Sequence, residues 1–216
     1  MALIEAAVDT FHAAERAQAE GAKRIELCGP LFNGGTTPSA GLIARCCEKL
    51  LVSVHVLIRP RTGDFIYSDD ELAIMQKDVA LARELGADGV VIGALTPEGE
   101  VDVSRLADVI AVASPMRVGF HRAFDQLKDP DEALEILVSM QVDHVLTSGG
   151  GKTAMESVEK LAHLQERAGD RVSIIAGGGV RADHVKELVA RTGVKEVHAR
   201  GTEAGVIKGI VRALGG

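Results

Sequence analysis

Eight apolar runs alternate with stretches of helical periodicity along the whole chain. They are Ala2–Val8, Lys23–Cys28, Val52–Arg59, Gly89–Ala94, Met116–Phe120, His144–Thr147, Val172–Ala176 and Glu196–Ala199. Runs this short and this apolar predict strands buried on both faces. Between them, apolar side chains recur at helical spacing: Leu72, Met75, Val79 and Leu85 after the third run, Leu134, Leu137 and Val138 after the fifth. Helix starts are signalled too. Ser68 and Glu71 have the spacing of a capping box, and Asp129-Pro130 sets a good N-cap before proline at the first helical position. Thr96-Pro97-Glu98-Gly99 reads as a turn.

One junction recurs: helix end, glycine, apolar residue, polar residue, strand. It occurs as Gly21-Ala22-Lys23, Gly86-Ala87-Asp88 and Gly193-Val194-Lys195, and Gln141-Val142-Asp143 is a fourth copy without the glycine. A glycine just past a helix can take the left-handed conformation that ends it. Strands alternating with helices predict a parallel sheet, and eight such units predict one α/β domain over residues 1–216, a (β/α)8 TIM barrel. The runner-up is an open doubly wound sheet, but Val8-Asp9-Thr10 after the first strand lacks a glycine-rich dinucleotide loop. In a barrel, chemistry collects where strands lead into helices.

Composition narrows the function classes. The 216 residues carry a net charge of −7, which argues against a nucleic-acid binder while leaving local basic groups free to hold a small anion. With no Trp and one Tyr, a base-stacking surface is not expected. Glu5 interrupts what would have to be an apolar signal core, and no run approaches the ~20 apolar residues that span a bilayer. Three cysteines, two of them adjacent, make no disulfide framework, so the expectation is a cytoplasmic protein without a membrane partner.

Ionisable residues stand at strand positions where valine or isoleucine would serve structure better: Glu5, then Arg24, Glu26 and Cys28, His55 and Arg59, and His198 and Arg200. His121, Arg122 and Asp125 follow the fifth strand. Residues two apart on a strand share a face, so much of this set converges inside the barrel mouth. Buried charges without partners are very costly, which leaves a paired network, such as Glu5 and Glu26 with Arg59, or a catalytic pocket. His55, deep in its strand, reads as a hydrogen-bonded core histidine. His121 reads as functional, and His12, His144, His163 and His184 carry no assignment.

Two glycine clusters end neighbouring strands: Ser148-Gly149-Gly150-Gly151 with Lys152, and Gly177-Gly178-Gly179. Glycine lets consecutive N–H groups face an anion, and phosphate sites in barrels lie near the last strands. The alternative is that they serve only tight turns. The spacing before Lys152 is wrong for a Walker loop. The loop Pro60–Ser68, with Arg61, Asp64, Phe65 and Tyr67, is either a lid over a ligand or a packed surface loop. Cys28 lies near the pocket and is the candidate thiolate for Cu(I). Cys46 and Cys47 point about a hundred degrees apart on a helix, so buried structural cysteines are the competing reading.

At these strand ends the sequence resembles the CutC family of copper homeostasis proteins. The resemblance rests on RIELC (Arg24–Cys28) with GGTTPSAGLI (Gly34–Ile43), HVLIRPRTGDFIYSDDE (His55–Glu71), GVVIGALTPEGEVD (Gly89–Asp102), FHRAFD (Phe120–Asp125), LTSGG (Leu146–Gly150), AGGGV (Ala176–Val180) and HARG (His198–Gly201). It implies a TIM barrel, a cytoplasmic location, a homodimer or higher homo-oligomer and a link to copper tolerance. The family's recurrent motifs map onto Glu26, Arg59, Arg61, Asp64, His121, Arg122, Asp125, Ser148 and Gly178, a polar set in which Cys28 supplies the one thiol. After HARG the chain runs directly into its last helix, where the family has a longer, arginine-rich segment.

The functional expectation is a mouth that holds a small anionic, possibly phosphorylated metabolite. The glycine loops (Ser148, Gly149, Gly150, Gly177, Gly178, Gly179) would hold the anion, with Arg59, counted in the catalytic set, or Arg61 as charge partner and Glu5, Asp64 and Arg122 also on the ligand. Glu26 and His121 would act as acid and base with Asp125 orienting them, for proton transfer next to a carbonyl, as in isomerisation or aldol-type cleavage. The alternatives are a Cu(I) carrier using Cys28 and a binding protein without chemistry.

Overall fold

The computed structural model describes residues 2–215. Eight strands, β1 Leu3–Val8, β2 Arg24–Leu27, β3 Ser53–Leu57, β4 Gly89–Ile92, β5 Arg117–Phe120, β6 His144–Thr147, β7 Ser173–Ala176 and β8 Glu196–Arg200, close in chain order into an all-parallel barrel. β8 pairs with β1, Glu5 lying opposite His198. Eight helices form the outer ring: α1 Phe11–Ala19, α2 Ala40–Lys49, α3 Asp69–Glu84, α4 Val103–Ala113, α5 Pro130–Ser139, α6 Val158–Ala168, α7 Val185–Thr192 and α8 Val206–Ala213. The caps on α3 and α5 form as expected: Ser68 and Glu71 make a reciprocal capping box, and Asp129 accepts from the N–H groups of Asp131 and Glu132.

The repeated junction has a physical role in each of its slots. Gly21, Gly86 and Gly193 take φ of +107°, +88° and +72°, and Gln141, in the copy without glycine, takes +60°. The apolar slot (Ala22, Ala87, Val142, Val194) is buried. Two of the polar slots tie adjacent strands together: Asp88 accepts from Val54 N at 2.8 Å and Asp143 from Val118 N at 2.7 Å.

Alternate strand residues divide the core. Ile4, Ala6 and Val8, Ile25 and Leu27, Val54 and Val56, and Val90 and Ile92 face the helices in the main apolar cluster. The inward set is largely polar and is fitted together by size. An added Cβ on Gly89 would lie 2.8 Å from the His55 ring, on Gly119 2.1 Å from His144 Nε2, and on Gly93 2.4 Å from His121 Cε1. Each imidazole therefore fills space that a glycine on the neighbouring strand leaves open. His55 lies in the core as expected but is not hydrogen-bonded, since neither ring nitrogen has a partner among the described residues.

The paired network differs from the expected one. Glu5 pairs with Arg24, which also reaches Glu196, and Ser173 Oγ donates to Glu196 at 2.8 Å. Arg59 takes no part, because it lies beyond the end of β3 and its guanidinium is spent on the carbonyls of Gly34, Gly35 and Gly63.

Candidate functional site

A cavity of about 410 Å³ opens at the C-terminal end of the strands, within the size range of small-molecule sites. Glu26, Cys28, Leu57, Leu146 and His198 are among its lining residues, with Arg59, His121, Arg122, Arg181 and Arg200 around them.

Glu26 comes from β2 and is buried. Burial pushes its carboxyl up to about 7; the His198 charge opposes this and Glu5 reinforces it. His198 Nε2 stands 3.6 Å from Glu26 Oε2, and its Nδ1 bonds Glu5 Oε1 at 2.8 Å. Burial opposes the charge on His198, but the Glu5 hydrogen bond and the Glu26 charge outweigh it and raise its pKa. Glu5 remains ionised: although burial favours its neutral form, the His198 hydrogen bond and the Arg24 charge hold its pKa well below the carboxylate range. The result is a chain Glu26–His198–Glu5–Arg24 descending from the cavity into the barrel.

His121 follows β5, caps the short 3-10 turn Arg122–Gln126 and accepts from Ala123 N–H through Nδ1 at 3.1 Å. That bond assigns the ring proton to Nε2, which has no partner among the described residues. Burial first, and the Arg59 charge second, lower its pKa to about 3, so the ring is neutral. Phe65 packs against it at 4.8 Å between ring centroids, and the Arg59 guanidinium stacks over Phe65 at 4.8 Å. The loop after β3 is thus packed onto the mouth through Phe65 and Tyr67, both buried.

Some expected residues do not meet. Asp125 does not touch His121. It accepts from Thr147 Oγ1, the N–H groups of Ser148 and Gly150, Ser148 Oγ and Arg122 Nε. Since Gly149 N–H goes to Thr147 Oγ1, the Ser148, Gly149 and Gly150 N–H groups of the first cluster are spent inside the protein, and Ser148 Oγ is bonded to Asp125, Gly151 O and Arg122. Arg61 and Asp64 pair with each other at 2.9 Å, Arg61 also with Glu71, and neither lines the cavity. Gly177 N–H bonds Thr147 O. Gly178 and Gly179 do line the cavity, and their N–H groups have no partner among the described residues. Arg122 lines it while bonding Ser148 Oγ at 2.9 Å.

His198, Arg181 and Arg200 belong to the site but were not singled out as ligand or catalytic groups. The signal was present for His198 and Arg200, which alternate with Val197 and Ala199 on the inward face of β8. Arg181 follows the second glycine cluster in a loop, where no periodicity points to it.

The family resemblance raises the question of copper. Cys28 Sγ donates to Glu26 O at 3.7 Å, and burial followed by the Glu26 charge pushes its thiol well above the ordinary value. Cys46 and Cys47 lie on α2, the first in the apolar core between helix and barrel. Soft Cu(I) is held by thiolates acting together, and among the described residues Cys28 has no second sulfur at the cavity. These residues do not form a Cu(I) site.

Comparison with known proteins agrees with the strand-end motifs. The CutC family model matches residues 2–203. A CutC protein of Xanthomonas campestris pv. campestris is 45% identical over 196 residues, 91% of this chain and 82% of that protein. The human copper homeostasis protein cutC homolog is 41% identical, over 91% of this chain and 72% of its own length. The crystal structure of the CutC protein from Streptococcus agalactiae superposes with a TM-score of 0.89 at 33% identity, covering 94% of this chain and all of that one. The eight-strand barrel, the mouth motifs and these matches establish that the chain belongs to the CutC family.

Proposed function

We propose that the mouth of the barrel binds a small anionic metabolite, of the size of a phosphorylated sugar fragment, and moves a proton next to its carbonyl. The observation that carries this is the pairing of opposites lining one cavity: a carboxyl held near 7 and an imidazole held neutral. A base works best with a pKa near the operating pH. Glu26 as carboxylate takes the proton from the carbon next to the carbonyl. Negative charge then develops on the carbonyl oxygen, and the Nε2–H of neutral His121 donates to it, a use of neutral imidazole that burial makes effective. His121 gives its Nε2 proton to that oxygen and takes one back from the neighbouring hydroxyl, and Glu26 returns the carbon proton to the former carbonyl carbon, which completes an isomerisation. His198, oriented by Glu5, steadies the Glu26 charge. The anion is held by the Gly178 and Gly179 N–H groups with Arg181, Arg200 and Arg122 around the rim. The reading includes a cytoplasmic, self-associating protein with no nucleic-acid partner, supported by three free cysteines. No helix among the described residues is long and apolar enough to cross a membrane.

The test is NMR-detected exchange of the carbon-bound proton in D₂O across a panel of phosphorylated hydroxy-aldehydes and ketones, with inorganic phosphate as competitor. Exchange should be catalysed by the wild type, lost in Glu26→Gln with binding retained, and weakened by phosphate. Exchange indifferent to Glu26→Gln, or no compound stabilising the protein against heat, would sink the reading.

A further inference from the structure

Below the cavity floor, two side chains that the proposed chemistry does not use meet a third. His55 from β3, His144 from β6 and Glu5 from β1 each offer a ligand atom, and these atoms lie within 4.8 Å of one another. The three residues are 1%, 2% and 1% exposed. The rings face each other with centroids 5.2 Å apart. His55 Nδ1, His55 Nε2 and His144 Nε2 have no hydrogen-bond partner among the described residues. Leaving a buried polar group unpaired is costly, and here three nitrogens on adjoining rings go unpaired. The rings are nonetheless accommodated at a cost to the barrel, because Gly89 and Gly119 give up side chains where any Cβ would strike them.

The chemistry of the group is specific. None of these three nitrogens is engaged elsewhere among the described residues, so each ring can turn a lone pair toward an ion. Glu5 is ionised, its oxygens shared with Arg24, which also reaches Glu196, and with His198 Nδ1. Two neutral imidazoles and a carboxylate form a nitrogen–oxygen donor set of borderline hardness, the kind that suits divalent zinc and its neighbours rather than a soft monovalent ion.

We propose that His55, His144 and Glu5 form a binding site for one divalent first-row transition-metal ion inside the barrel. Three protein ligands leave the fourth position of a tetrahedral ion free for a water or a neighbouring oxygen. Zinc–ligand bonds are about 2.0–2.2 Å, so the donors draw together when the ion enters, a movement within reach of imidazole rotation. The site is independent of Cys28 and of the anion-binding rim.

Metal-stripped protein is titrated with Zn(II), and a parallel sample is refolded in its presence so that a closed barrel cannot block entry. The expected result is one zinc per chain surviving gel filtration, a raised melting temperature, and tetrahedral visible bands when Co(II) replaces Zn(II). His55→Gln and His144→Gln should each weaken retention at least about tenfold, while Cys28→Ser and the surface variant His163→Gln keep it. X-ray absorption on the zinc-loaded wild type reports the ligands without any variant, and imidazole with no sulfur in the first shell supports the site. Sulfur ligation, full retention in both histidine variants, or no retained ion after refolding with Zn(II) overturns it; in the last case the space belongs to water.

Discussion

Replacing Glu26 by Gln should make the protein more stable, and increasingly so as pH rises. The folded carboxyl ionises near 7 in place of the ordinary 4.5. The buried carboxylate is therefore less stable than its solvated counterpart by at most about 3 kcal/mol. The sign follows from proton binding. Between pH 4.5 and about 7 the native state holds the Glu26 proton and the unfolded chain has released it, so wild-type stability falls as pH rises through this window. Above about 7 both states are ionised and the penalty is constant. Gln carries no such penalty at any pH. Its amide must find its own hydrogen bonds, but that offset does not vary with pH, so the diagnostic is the pH dependence of the difference between the two proteins. For a chain of this size 1 kcal/mol moves the melting temperature by about 2–4 °C. Paired melts monitored by circular dichroism from about pH 4.5 to about pH 8.5 should show Glu26→Gln gaining up to about 6–12 °C on the wild type and then levelling. A difference that stays flat across this range would refute the argument, because Glu26 would then titrate like a solvated carboxyl. The gain in stability should coincide with loss of proton exchange, as expected where an active site holds a group in an unfavourable state.

Gln141→Gly should stabilise the fold by about 0.5–1 kcal/mol, because Gln141 is exposed and sits at φ +60° where a side chain is strained; a denaturant midpoint no higher than wild type would count against it. Gly119→Ala should destabilise by at least about 2–3 kcal/mol through collision with His144, and adding His144→Ala should recover part of the loss in a double-mutant cycle; simple additivity of the two changes would contradict the steric account. Asp125→Ala should cost at least about 2–3 kcal/mol, since it strips the acceptor from the N–H groups of Ser148 and Gly150. It should speed amide exchange in the loop after β6 while leaving Glu26 titration unchanged, and unaltered exchange there would rule out the clasp role.

The fold was legible because its signals are local. Each strand is a short apolar run, four of the helix-to-strand junctions carry a glycine or Gln141, and the caps on α3 and α5 lie within four residues of the helices they start. Even the inward face could be read by counting in twos along β1, β2, β3 and β8. What lay beyond reach was the pairing across the barrel, which depends on the stagger between strands far apart in sequence. Glu5 meets Arg24 because strand pairing sets them side by side, while Arg59, equally charged, projects above the last pair of its strand. The glycine clusters look alike as sequence. Their fates differ because Asp125, from another loop, claims the N–H groups of one and leaves the other to the cavity. His121 was found from its position at a strand end, but the neutrality that gives it a use comes from Phe65 and Arg59 on a loop some sixty residues earlier.

The glycine–imidazole fits inside the barrel also constrain how such a chain can change over generations. Gly89, Gly93 and Gly119 cannot acquire a side chain while His55, His121 and His144 stand opposite them, yet losing a histidine first leaves only a void that later substitutions can fill. The two changes are tolerable in one order and prohibitive in the other. Once a lineage fills the glycine, the return path is closed, since the imidazole no longer has room to reappear. Among descendants of a common ancestor, glycine and histidine should therefore be inherited or lost as couples, and a lineage keeping the glycine alone would be an intermediate on its way out of this interior.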